Sequence, residues 1–228
     1  MYLLDIIVPF YNEQEFLNQS VERLLSANIH DSILLIDNNS TDLSKDIAVV
    51  LEKKKDISYF KTDKKQGKGA ALRYSADLLS GTHVVIHDAD LEYFPEDLIE
   101  LKQKSIENPE ALILGSRFIG SKKRKIKYSK AYYANRFLSK VFSIVYRYPV
   151  SDVATCYKLL PVGIFKNLNL IENGFAVEIE ILAKYLKNHD SVIIEVPIKY
   201  EGRSYEEGKK IKFLDGLIYL FKIFTYRF

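Results

Sequence analysis

The stretch VVIHDADLEYFPED, Val84–Asp97, decides how the rest of the chain is read. An apolar run of Val84, Val85 and Ile86 stops at two aspartates one residue apart, Asp88 and Asp90, with Glu92 following and Pro95 closing the segment. Side chains two apart on an extended segment point the same way, so both carboxylates can converge on one cation. Magnesium and manganese favour carboxylate oxygen and typically take one or two such ligands, leaving other positions to substrate phosphates. The pair therefore reads as a clamp for a metal that carries phosphates. Taken alone, it also fits a solvated turn with a helix N-cap.

Outward from this stretch, short apolar runs alternate with amphipathic ones. LLDIIVPF, SILLIDNN, ISYFKTD, THVVIHDAD and ALILGSRF read as strands. EQEFLNQSVERLLSAN, DLSKDIAVVLEKK, GKGAALRYSADLLS and PEDLIELKQKSIEN carry apolar residues at helical spacing. This alternation predicts an α/β fold, a mostly parallel sheet flanked by helices, with the strand C-termini along one edge where ligands bind. After the basic stretch SKKRKIKY (Ser121–Tyr128) the rhythm stops. Helices are expected around Ser129–Tyr148 and Val177–Lys187, then a strand in SVIIEVPIKY and an apolar terminal helix. The chain reads as one domain, 1–228, made of a first half (1–120), an extension (121–211) and the helix 212–228.

With 228 residues the chain can bury a sizeable core, and 47% hydrophobic with 28% charged residues is the balance of a folded protein. A net charge of +3 is too mild and too dispersed for bulk nucleic-acid binding. The single cysteine, Cys156, excludes an internal disulfide and has no CxxC partner, so it reads as packing. The N-terminal MYLLDIIVPFYNE lacks a basic region and a cleavage site and reads as a first strand. No apolar run reaches the ~18 residues of a membrane span. A cytoplasmic chain is expected, or one attached to a membrane face without crossing it.

Polar groups collect where strands finish: Pro9, Tyr11, Asn12 and Glu13 after the first, Asp37, Asn38, Asn39 and Ser40 after the second, Asp88 and Asp90 after the fourth. QGKGAALR has neither P-loop nor G-x-G-x-x-G spacing. Its glycine pair either lets backbone amides approach a phosphate, with Lys68 adding charge, or simply starts a helix. The four histidines lack metal spacing.

The arrangement IIVPFYNE, LLIDNNSTD, GKGAALR, VVIHDADLEYFPEDL, LGSRF resembles the family 2 glycosyltransferases of GT-A fold, most of all the polyprenyl-phosphate, dolichyl-phosphate mannose synthase-like branch. The resemblance runs from the first strand to about Lys212. It implies a nucleotide-sugar pocket built from Pro9, Tyr11, Asn12, Glu13, Asp37, Asn38, Lys68, the Ala89 backbone and Arg117. Asn38 stands where many relatives carry a second aspartate. Asp88 and Asp90 would hold magnesium or manganese, and Glu92, where the branch often has glutamine, would assist the metal. SDVATCYKLL resembles the branch's D-x-x-[ST]-G-[FY]-[KR] segment and makes Lys158 a phosphate ligand. Glu178 matches an acidic position near the acceptor. There it would act as general base toward a hydroxyl, or orient basic side chains if the acceptor is an ionised phosphate. Arg203, Lys209 and Lys210 would close over the diphosphate or meet the acceptor phosphate.

The function implied is metal-dependent transfer of a sugar from a nucleotide diphosphate sugar to a polyprenyl phosphate. A sugar hydroxyl in polysaccharide or cell-envelope synthesis is the alternative acceptor, and a catalytically silent, membrane-associated nucleotide-sugar-binding protein the alternative class. A nucleotidyltransferase would show a glycine-rich first loop where this chain has VPFYNE. The C-terminal KIKFLDGLIYLFKIFTYRF (Lys210–Phe228) places Lys212, Asp215, Tyr219, Lys222 and Tyr226 on one narrow polar stripe of an otherwise apolar helix. Such a helix packs into the core or a homodimer, or lies in the plane of a membrane surface beside a lipid-linked acceptor.

Overall fold

The computed structural model describes residues 1–120, 124–125, 129–188, 192–203 and 213–228. In chain order the elements are β1 (Leu4–Phe10), α1 (Leu17–Ala27), β2 (Ser32–Asp37), α2 (Ser44–Leu51), β3 (Ile57–Lys61), α3 (Lys68–Ser75), β4 (His83–Ile86), α4 (Leu98–Glu107), β5 (Leu112–Ser116), β6 (Arg124–Lys125), α5 (Ser129–Tyr146), β7 (Lys158–Pro161), α6 (Val162–Asn167), α7 (Val177–Asn188), β8 (Ile193–Pro197), β9 (Tyr200–Glu201) and α8 (Phe213–Arg227). Seven strands form one sheet in the order β3-β2-β1-β4-β7-β5-β8. β1 is buried along its whole length, as expected of a strand covered on both faces. α1 buries Leu17, Val21 and Leu24, one helical face, as its apolar spacing predicts.

The sheet is mostly parallel, as expected, with one reversal. β7 runs antiparallel to both β4 and β5, pairing Val85 with Leu159 and Leu114 with Lys158. The extension 121–211, in which one strand was expected, contributes both β7 and β8 to this sheet. The reversal has a consequence for chemistry. The N-terminal end of β7 meets the edge where the parallel strands finish, which brings Cys156 and Lys158 toward Asp88.

α8 packs on α5 and α7. Its polar stripe faces the protein: Tyr219 is buried, Lys222 pairs with Glu172 at 2.6 Å, and the Tyr226 hydroxyl donates to Glu172 Oε1 at 2.7 Å. Leu214, Leu217, Ile218, Phe221 and Phe224 are left exposed. Among the described residues no helix is long and apolar enough to cross a membrane.

Candidate active site

A cavity of about 860 Å³ opens where β1, β2 and β4 end. Pro9, Tyr11, Glu13, Asn38, Lys68, Asp88, Ala89, Asp90, Arg117, Glu178 and Arg203, all expected site residues, line it together with Glu92. Lys209 and Lys210 lie outside the described residues, as do the side chains of SKKRKIKY.

The floor is an alternating chain of charges. Lys68, the first residue of α3, places its Nζ 2.6 Å from Asp88 Oδ1 and 2.8 Å from Glu178 Oε1. Lys158 takes the other oxygen of Glu178. Burial opposes ionisation of Asp88, but the adjoining Lys68 ammonium holds its carboxyl below the ordinary value. Asp90 goes the other way: burial and then the Glu92 and Asp88 carboxylates push it up to about 8, against the opposing charge of Arg203. The Arg203 guanidinium reaches Asp90 Oδ2 at 3.3 Å and Glu13 Oε2 at 3.4 Å, while its Nε is buried with no hydrogen-bond partner among the described residues.

The crowding of Asp90 by the Glu92 and Asp88 carboxylates fits a divalent cation, whose charge would favour the ionised form. Among the described residues no three carboxylate, imidazole or thiol groups gather to hold a metal by themselves. Two carboxylates with phosphate oxygens completing the shell is the usual pattern for magnesium.

Several expected roles change place. Glu92 has partners of its own: its Oε1 accepts the Arg203 backbone N–H at 2.7 Å and its Oε2 accepts the Tyr200 hydroxyl at 2.7 Å. It fastens the segment after β8 across the site. Asp37 is fully buried, accepting from Ser40 N at 2.7 Å and from the Tyr59 hydroxyl at 3.1 Å. The cavity wall belongs instead to Asn38, whose Oδ1 accepts Gln66 N. The Asn12 side chain is spent on Thr41, tying the exits of β1 and β2 together. Lys158 is wholly buried, with its ammonium on Thr155 O and Glu178, so it supports Glu178 where a phosphate ligand was expected.

The glycine pair at α3 also has another task. A Cβ on Gly69 would stand 2.2 Å from Glu172 O, and one on Gly67 would stand 2.5 Å from Asn173 O. Ala70 N donates to Asn173 O at 3.1 Å. The glycines admit the 172–174 backbone against the start of α3, and that contact sets the direction of Lys68.

Arg117 lines the cavity but is held by Asp152, with Nε and Nη2 donating at 2.7 and 2.8 Å, and its guanidinium lies 4.9 Å from the Tyr200 ring centroid. Asp152, Tyr200 and Lys65, which sits 3.8 Å from the Tyr11 ring centroid, were not singled out from sequence. Their partners lie far along the chain or carry no motif. Cys156 is buried with its thiol pushed up, first by burial and then by Asp88. His87 is buried between the Ser20 and Tyr157 hydroxyls, at 3.0 Å each, and burial pushes its imidazole down to about 4.

The second arm of the cavity is apolar. Ala131, Ala134 and Leu138 of α5 and Gly216, Leu217 and Leu220 of α8 line it, with Asn135 and Tyr219 the polar exceptions. Phe137 and Leu217 line this arm while remaining 58% and 51% exposed, so it opens on the outer face of the two helices.

A mostly parallel sheet with an acidic pair and basic side chains where its parallel strands end is an α/β architecture, here the GT-A fold. The chain belongs to glycosyl transferase family 2, whose pattern matches residues 5–168. It is 30% identical over 222 residues to a dolichol-phosphate mannosyltransferase of Pyrococcus furiosus, a match covering 91% of this chain and 60% of that protein. It is 32% identical over 110 residues to an undecaprenyl-phosphate 4-deoxy-4-formamido-L-arabinose transferase of Salmonella choleraesuis, covering 46% of this chain and 34% of that one. Among solved structures, glucosyl-3-phosphoglycerate synthase from Mycobacterium tuberculosis, in complex with Mn2+, UDP and glucosyl-3-phosphoglycerate, superposes with a TM-score of 0.73 at 16% identity, over 99% of this chain and 80% of that chain. The chain thus spans about 60% or less of the length of these curated relatives.

Proposed function

We propose that this chain transfers a sugar from a nucleotide diphosphate sugar to a polyprenyl phosphate, with magnesium or manganese held by Asp88 and Asp90. The observation that carries this reading is the two-ended cavity. One end is charged and built on strand termini; the other is apolar and opens on the exposed face of α5 and α8. An acceptor with a phosphate head and a hydrocarbon tail fits that combination. The relatives named for dolichol phosphate and undecaprenyl phosphate support it, as does the neighbour in complex with Mn2+ and UDP.

In the reaction an oxygen of the acceptor phosphate attacks C1 of the sugar. The bond from C1 to the nucleotide diphosphate oxygen breaks, and its electron pair leaves with the diphosphate. A bound divalent cation supplies neutralising charge to that leaving group. Arg203 and Lys68 add fixed positive charge at the same end, already oriented by Glu13, Asp90, Asp88 and Glu178. An ionised phosphate needs no base, and Glu178 is occupied otherwise: both its oxygens face lysine ammoniums. The exposed apolar face of α5 and α8 is read as lying on a membrane surface, where the acceptor's tail resides.

The deciding experiment supplies a panel of nucleotide sugars with manganese, with and without polyprenyl phosphate or a glycan acceptor. Transfer to polyprenyl phosphate is expected. Asp88→Asn and Asp90→Asn should each abolish most manganese-dependent nucleoside diphosphate binding in calorimetry. Transfer to a glycan hydroxyl alone would overturn the acceptor assignment, and unchanged binding in both variants would overturn the clamp.

A further inference from the structure

We infer that Tyr219 is an acceptor-binding residue whose hydroxyl donates a hydrogen bond to a phosphate oxygen where the charged and apolar arms of the cavity meet. This inference rests on the polyprenyl-phosphate reading and adds a residue from a helix beyond the 5–168 stretch that the family pattern matches.

Tyr219 comes from α8, lines the cavity, and is only 3% exposed. Its hydroxyl is buried and has no hydrogen-bond partner among the described residues. The other tyrosine of the stripe, Tyr226, is bonded to Glu172. A buried hydroxyl without a partner is a cost that phenylalanine would avoid at equal volume, so its retention calls for a ligand. Burial, and then the nearby Glu178 carboxylate, raise its ionisation far above the ordinary tyrosine value against the opposing charge of Lys68. The group therefore stays protonated and presents a donor to a cavity that Lys68, Arg117 and Glu178 also line. A phosphate oxygen supplies the acceptor that the hydroxyl lacks among the described residues, with Lys68 and Arg117 offsetting its charge.

The source of that phosphate follows from where Tyr219 stands. Its helix neighbours Gly216, Leu217 and Leu220 wall the apolar arm, whereas Pro9, Tyr11, Asn38 and Lys65, at the ends of β1 and β2 and before α3, wall the other end. The hydroxyl is placed for the head of a lipid-like acceptor, with the tail running between α5 and α8.

The test uses the full chain and the variant Tyr219→Phe, titrated by calorimetry with farnesyl phosphate, farnesol, and UDP with manganese. Farnesyl phosphate should bind roughly ten- to a hundred-fold more weakly to the variant, the span of a hydrogen bond to a charged partner. Farnesol and UDP should bind as before, and the thermal midpoint should stay level or rise because an unpaired polar atom has been removed. Unchanged farnesyl phosphate affinity overturns the assignment. Weakened UDP binding moves the contact to the donor diphosphate and overturns the acceptor role. A lowered midpoint means the hydroxyl is bonded within the fold, which also overturns it. Wild-type protein that transfers sugar to polyprenyl phosphate while the variant's KM for it is unaltered refutes Tyr219 alone. Wild-type protein that neither binds farnesyl phosphate nor transfers to polyprenyl phosphate refutes the acceptor reading and Tyr219 with it.

Discussion

The ammonium of Lys68 lies 2.6 Å from Oδ1 of Asp88, so the residue that starts α3 neutralises the first aspartate after β4. The same ammonium is 2.8 Å from Glu178 Oε1 on α7. One lysine thus serves two carboxylates from opposite halves of the chain. Lys68→Met removes it and leaves Asp88 without its cation, while Glu178 keeps Lys158. Breaking a buried pair in this way costs about 3–5 kcal/mol. The lower end is expected here, since the Asp88 side chain keeps 24% exposure. Urea unfolding in the absence of metal measures it. A loss below about 1 kcal/mol, the worth of an exposed pair, would show that the cluster is solvated.

Glu178 sits between Lys68 and Lys158, and its role can be separated by acceptor. A lost general base costs about 10²–10⁴-fold in rate. Glu178→Gln should reduce transfer to polyprenyl phosphate less than tenfold per folded molecule, because no proton has to move. It should also destabilise the fold, since Lys158 at full burial loses its carboxylate. The double variant with Lys158→Met should recover most of that stability, as replacing a buried pair by apolar groups often does. Turnover of refolded, active-site-titrated protein decides the first part. A loss beyond a hundredfold with unaltered substrate binding would restore the base.

Much of this site was legible because strand exits in a parallel sheet gather on one edge, and VPFYNE, IDNNS and HDAD each mark such an exit. What escaped has physical causes. β7 was hidden because it has only Leu159 and Leu160 between Lys158 and Pro161, and only the partner Glu178, twenty residues on, explains a buried lysine at its start. Asp37 and Asn38 were both expected in the pocket, but only Asn38 lines it, because alternation turns neighbours opposite ways without saying which one faces the ligand. That Glu92 also holds the backbone of Arg203 and the hydroxyl of Tyr200 was not legible, because both partners lie far along the chain. In α8 the periodicity revealed the polar stripe. Which side of the helix meets protein depends on Glu172, whose place no local pattern predicts.

The glycines of QGKG offer a test by contrast. At Gly69 an added Cβ would meet the Glu172 carbonyl oxygen at 2.2 Å, so Gly69→Ala must push the 172–174 backbone away from α3. Overpacking of this kind costs about 1–3 kcal/mol, and the displaced strap should also weaken nucleotide binding through Lys68. Gly163, inside α6, has nothing within 4 Å of the same added atom. Gly163→Ala should therefore stabilise by about 0.5–1 kcal/mol through helix propensity. Thermal unfolding of the two variants side by side is sufficient. Equal effects would mean that the close approach at Gly69 is not a constraint.

The outer face of α5 and α8 yields the last prediction. Tyr133, Phe137 and Ile144 recur at helical spacing on α5, and Leu214 and Phe221 of α8 are each 66% exposed. A contiguous apolar face of this kind marks a surface that meets something. The inward turn of the polar stripe argues against core packing for this face: Lys222 and Tyr226 bond to Glu172 and Ile223 is buried, while Leu214, Leu217, Ile218, Phe221 and Phe224 stay outside. Arg136 and Lys140 lie exposed on α5 beside it, and each basic residue near an anionic surface contributes about 1 kcal/mol. The protein should float with anionic liposomes at low salt and less at high salt. Leu214→Ser, Phe221→Ser and Ile144→Ser together should abolish flotation. They should leave nucleotide binding intact, because none of the three lines the cavity. Sedimentation without lipid should show a monomer. A stable dimer that the triple variant dissolves, with no liposome association of the wild type, would assign the face to a second copy and refute the membrane reading.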